Sequence, residues 1–109
     1  MRDIDPNDAI DYIIKNAEKF AKAKAERIYL EEFRKSKKAI LMKESFEETV
    51  GAQEREAYAH PDYRELLRGL REAIEIEEKL RWDLVAAQAR VDVWRSLEAS
   101  NRREGRAVA

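Results

Sequence analysis

Apolar positions in the first third of the chain recur at helical spacing. They fall at Ile10, Ile13/Ile14, Ala17, Phe20/Ala21, Ala25 and Ile28, and the stripe then shifts through Leu30, Phe33 and Ile40/Leu41. Neither Pro nor Gly interrupts residues 7–50. The start is marked by Asp5 as N-cap, Pro6 at the first helical position and Asp8 in the turn where negative charge is favoured. This pattern predicts a helix over about residues 7–43, on the order of 55 Å long at 1.5 Å per residue.

Ser45-Phe46-Glu47-Glu48 reads as a capping box and predicts a short helix over about residues 46–59, with Gly51 as its weak point. His60-Pro61 ends that helix, because the residue before a proline is pushed out of helical geometry. A last helix is expected over about residues 61–103. Its seam runs Leu66, Leu70, Ala73, Glu77, Leu80, Leu84, Ala87, Val91 and Trp94, with Glu77 the one break in it. Tyr63, Leu67 and Ile74 widen the apolar face at its start. Between Leu84 and Leu97 the helix is apolar on more than one side, so a second contact is expected there. Residues 104–109 are expected to fray, with Gly105 as a stop. The pattern as a whole predicts one all-α domain over residues 1–109. It is a long antiparallel helical hairpin with a short connecting helix and an oligomer-forming, coiled-coil-like face.

Charge supports the hairpin. Residues 1–14 carry four acids and one base, 15–43 ten bases and four acids, 44–83 twelve acids and six bases, and 84–109 five bases and three acids. A chain folded back on itself sets the basic end of the first arm along the acidic start of the second. The 109 residues are 41% charged and 8% aromatic, a composition typical of long helices. There is no cysteine, hence no disulfide framework and no thiolate metal site. The N-terminus lacks the layout of a signal peptide, and no apolar run approaches the ~20 residues that span a bilayer. These features lead to the expectation of a cytoplasmic protein with no membrane partner.

Catalytic chemistry finds little footing. No phosphate-binding glycine loop, nucleophile elbow or zinc-binding His-Glu-x-x-His occurs. His60 is the only histidine, and Glu56 four residues earlier is its candidate partner. The expectation is a non-enzyme without cofactor or metal. Arg34, Lys35, Lys37 and Lys38 form the densest basic run, suited to phosphate contact, and Tyr29 and Phe33 lie beside it as candidate stacking residues for unpaired bases. The competing reading is that acids such as Asp62, Glu65 and Glu72 neutralise these bases across the hairpin. Trp94 lies on the seam and reads as core, whereas Trp82 lies off it. Trp82, Leu84, Val85, Val91 and Trp94 are the expected oligomer interface.

Three stretches resemble a family of small phage and prophage helical proteins. They are Tyr29-Leu30-Glu31-Glu32-Phe33-Arg34-Lys35 with Lys38-Ala39-Ile40-Leu41-Met42, then Ala52-Gln53-Glu54-Arg55-Glu56-Ala57-Tyr58-Ala59, and Trp94-Arg95-Ser96-Leu97-Glu98-Ala99-Ser100-Asn101-Arg102. The helical order, basic first helix and length are also similar to the UvsY-type phage recombination-mediator family. That resemblance implies ring assembly, binding of single-stranded DNA, and a recombinase or single-strand-binding protein as partner in a bacterial host cell. The expected function is therefore a phage-type nucleic-acid accessory protein that binds single-stranded DNA weakly as an oligomer. The alternatives are an adaptor that acts only through helix–helix contacts, and an inhibitor that presents the acids of residues 44–78 to a host protein.

Overall fold

A computed structural model describes residues 4–108, which form three α-helices: α1 Pro6–Glu44, α2 Val50–Ala59 and α3 Pro61–Val108. Helix α1 begins as expected. The Asp5 carboxylate accepts the Asn7 N–H at 2.9 Å, and the Ala9 N–H reaches the Asp5 carbonyl at 3.3 Å. Two expected boundaries are wrong. Helix α2 starts at Val50 rather than near residue 46, because Thr49 and not Ser45 is its N-cap, accepting the Ala52 N–H at 3.1 Å. The Ser45 hydroxyl is engaged elsewhere: it accepts the Glu47 N–H at 3.1 Å and donates to Glu56 at 2.6 Å. The frayed tail is also wrong. Helix α3 runs through Gly105 to Val108, while Ala109 lies outside the described residues, as do Arg2 and Asp3 of the first charge block.

The chain divides into two compact units, each built from both long helices. Unit 1 is Met1–Phe20 with Lys79–Ala109, and unit 2 is Ala21–Glu78. In unit 2 the two long helices run antiparallel, and two contacts fix their register. Arg27 clasps Glu77 with both carboxylate oxygens, Nε to Oε2 at 2.6 Å and Nη2 to Oε1 at 2.9 Å. Fourteen residues on, Leu41 packs with Tyr63, which precedes Glu77 by the same fourteen, and with Ala57 of α2. Fourteen residues forward on one helix thus match fourteen backward on the other, as antiparallel helices of equal rise require.

The seam expected on α3 is the covered one. In unit 2 Leu70, Ala73 and Glu77 are buried and Leu66 is half-buried; in unit 1 Ala87 is buried, with Leu80, Leu84, Val91 and Trp94 half-buried. On α1 the covered row is Ala9, Ile13, Asn16 and Phe20 in unit 1, and Ala23, Arg27, Leu30, Lys37 and Leu41 in unit 2. Only part of the apolar stripe expected from sequence is inside. Ile10, Ile14, Ala17, Ala21, Ala25 and Ile28 form a parallel row one residue away, and all of them are exposed.

Candidate nucleic-acid interface

The basic run lies on α1 in unit 2, beside α2. An open groove of about 640 Å³ is lined there by Arg34, Lys35, Lys38, Ala39 and Met42 of α1, Tyr58 of α2 and Tyr63 of α3. Helix α2 is held against α1 by Lys38. Its ammonium lies 4.6 Å from the centre of the Tyr58 ring and 3.1 Å from the Glu54 carboxylate. Tyr58 first, and Glu54 next, hold the Lys38 ammonium above the ordinary lysine range, with partial burial opposing them. Tyr58 is half open to solvent and meets Tyr63 edge to face at 5.3 Å. The two rings thus form one aromatic wall of the groove.

The four expected cations divide into two classes. Lys37 lies 3.8 Å from Asp62, and Lys38 is engaged as described, so the hairpin neutralises these two. Lys35 touches Glu32 at 3.3 Å, but both side chains are about two-thirds exposed, where an ion pair contributes little. Arg34 is exposed and has no ion-pair partner among the described residues. Arg34 and Lys35 therefore point usable charge at solvent, and Lys37 does not.

The expected stacking residues are elsewhere. Tyr29 and Phe33 stack on each other, 5.8 Å between ring centres and 12° between planes. Phe33 precedes Lys38 by five residues and Tyr29 precedes it by nine, about 140° and 180° around a helix. They occupy the far flank of α1 from the groove. The structure brings Tyr58 and Tyr63 to the cations instead. Sequence reasoning missed this because the aromatic wall comes from two other helices.

Other functional candidates have plain structural roles. Buried Glu77 and half-buried Arg27 neutralise each other on the seam, and Arg27 also reaches Glu31 at 3.1 Å. The His60–Glu56 pair is not formed. The Asp62 N–H donates to His60 Nδ1 at 3.0 Å, and Glu56 accepts the Ser45 hydroxyl. His60 is the C-cap of α2 in extended geometry, as the following proline requires. Of the acids of residues 44–78, Glu54, Glu56, Asp62 and Glu77 are drawn into contacts of this kind, whereas Glu44, Glu47, Glu48, Glu72 and Glu75 are exposed. Among the described residues no acidic or histidine cluster has the grouping to hold a metal ion.

Unit 1 carries the expected oligomer interface. Leu84, Val91 and Trp94 are half-buried on its seam, whereas Trp82 and Val85 are exposed, with the Arg81 guanidinium 5.2 Å from the Trp82 ring centre. One flank of this unit holds Tyr12 together with Asp83, Ala86, Ala87 and Arg90 around a recess of about 200 Å³. Asp83 is held below the ordinary carboxylate range by Lys79, 2.8 Å away, and by a weaker hydrogen bond from Tyr12. Near the end of α3, Arg102, Arg103 and Arg106 line a second basic surface with Ala99.

No family model, curated protein or solved structure matches this chain. No helix among the described residues is long and apolar enough to cross a membrane.

Proposed function

We propose that the protein is a non-enzymatic nucleic-acid accessory protein of the phage type, which binds single strands weakly through each copy and acts as an oligomer. The observation that carries this reading is the groove of unit 2. Exposed Arg34 and Lys35 supply charge for phosphates beside a half-open tyrosine wall on which a base can stack. Two usable cations per copy make a poor site by themselves. Several copies on one strand make a good one, since each further contact is intramolecular. Arg34→Ala with Lys35→Ala weakens binding of an oligonucleotide. It also shrinks the log–log salt slope by up to ~1.4 per engaged copy, at about 0.7 per contact. The measurement is a fluorescence-anisotropy titration at two salt concentrations. Unchanged affinity and slope in a folded double variant sink this reading.

The adaptor reading has its own support. In unit 2, exposed Ala21, Ala25 and Ile28 of α1, with Leu67 and Ile74 open on α3, are more apolar surface than isolated exposed side chains explain. It predicts no salt-dependent binding to single strands at all.

A further inference from the structure

We infer that copies of this chain assemble head to tail through unit 2, the basic flank of one copy seated on the acidic flank of the next. The inference rests on the oligomeric part of the proposed function and names the surfaces that meet.

Unit 2 has two distinct flanks because its long helices run antiparallel. A residue one step past a covered position lies about 100° further round its helix. Both helices are right-handed, so the steps past the seam fall on one side of an antiparallel pair and the steps before it on the other. The groove fits this division. Lys38 and Met42, one step past Lys37 and Leu41, line it, whereas the stacked Tyr29 and Phe33 lie on the far flank.

The two flanks carry opposite charge. One step past the seam stand Lys24 of α1 with Arg64 and Arg71 of α3, all exposed and outside every ion pair among the described residues. The acids of that flank are engaged, Glu31 by Arg27 and Glu78 by a contact of its own. One step before the seam stand Glu26 of α1 and Glu72 of α3, exposed and likewise outside those ion pairs. The lysine in such a position, Lys22, is engaged. Each flank also leaves large apolar side chains open. They are Ile28, Leu67 and Ile74 on the basic side, and Tyr29, Ile40 and Ile76 on the acidic side.

The rows match when one copy is shifted across the pair onto the next without a turn, α1 on α1 and α3 on α3. Lys24 then lies two residues from Glu26 and Arg71 one from Glu72, offsets of about 1.5–3 Å along the axis. The same shift sets Ile28 against Tyr29 and Ile74 against Ile76. Opposite charge meets opposite charge, and apolar meets apolar, which fixes both register and direction. A two-fold contact of either flank with itself would set like charge on like. The contact is therefore heterologous, and each copy keeps one flank free for a further copy.

Light scattering of the full chain without nucleic acid is expected to give more than two copies, above twice 12.8 kDa. Lys24→Glu with Arg71→Glu reverses the basic flank, and Glu26→Lys with Glu72→Lys reverses the acidic one. Each pair alone is expected to give the mass of one copy. Circular dichroism should stay unchanged, because the exchanged side chains are exposed and hold no ion pair. All four exchanges in one chain restore opposite flanks and are expected to restore the wild-type mass. A wild-type mass of one copy overturns both this inference and the oligomeric reading above, and a mass of two copies overturns the head-to-tail arrangement. A mass that survives either reversed pair, or does not return in the fourfold variant, overturns the flanks. Those last two outcomes leave standing the groove reading, which Arg34→Ala with Lys35→Ala tests separately.

Discussion

Arg27 and Glu77 show how one residue pair sets the behaviour of a seam. A charged residue in an apolar row normally marks an error of register, yet Arg27 on α1 and Glu77 on α3 both sit in covered rows, and the register makes them meet. Two charges removed from water recover that cost only through close, bidentate geometry, and an apolar pair of similar size does as well or better. The two partners are not equivalent. Glu77 is 6% exposed, while the Arg27 side chain is a quarter exposed and keeps Glu31. Arg27→Met is therefore expected to lower the urea midpoint more than Glu77→Leu does. The double variant should recover to the wild-type midpoint or above, with circular dichroism as the readout. A double variant weaker than both singles would refute this account. Glu77 was legible in the sequence only as a break in the pattern. Arg27 was not legible, because its row on α1 also holds Asn16 and Lys37, which break the apolar spacing there, while the neighbouring row through Ile10, Ile14 and Ile28 offers an apolar stripe of its own.

At the scale of the element, helix existence and order follow from the pattern, and the errors are at the ends. Ser45 and Thr49 both offer a capping hydroxyl four residues apart. The choice falls to Thr49 because Ser45 bonds to Glu56, eleven residues away, a contact that local sequence does not encode. Gly105 does not stop α3, since a lone glycine costs a helix only about 1 kcal/mol and no positive φ marks a stop there. The stripe on α1 misled for a different reason. Two rows one residue apart both carry helical spacing, and only the partner decides which is covered. The groove was half legible: its cations lie in one run, but its tyrosines come from separate helices. Gly69 offers a direct test of the element. It sits inside α3, and a Cβ built on it meets nothing within 4 Å. Gly69→Ala is expected to stabilise the protein by about 0.5–1 kcal/mol through the unfolded chain's lost freedom. A lower urea midpoint would mean that the site is occupied by something beyond this copy.

At the scale of the whole molecule, part of the charge in unit 2 is used internally. Arg27, Lys37 and Lys38 meet Glu77, Asp62 and Glu54, so the basic and acidic blocks cancel there as the sequence pattern implies. Other cations stay exposed outside these pairs: Arg34 and Lys35 at the groove, Lys24, Lys43, Arg55, Arg64 and Arg71 elsewhere in unit 2, and the arginines near the end of α3. A protein whose net charge is −1 can thus still present local positive surface.

The short connection between α1 and α2 carries Phe46, which is wholly exposed, followed by exposed Glu47 and Glu48. An aromatic side chain on irregular backbone is what a chymotrypsin-like protease needs, and nicking concentrates at such sites. Brief digestion is expected to cut first after Phe46, giving fragments 1–46 and 47–109 on a denaturing gel. Each unit draws its helices from both fragments, so the nicked pair should still elute as one species under native conditions and separate only in denaturant. First cleavage within α1 or α3 would count against the bounds of those helices. The break leaves a protein in two pieces that can be exchanged, labelled or recombined, with each long helix addressable by itself.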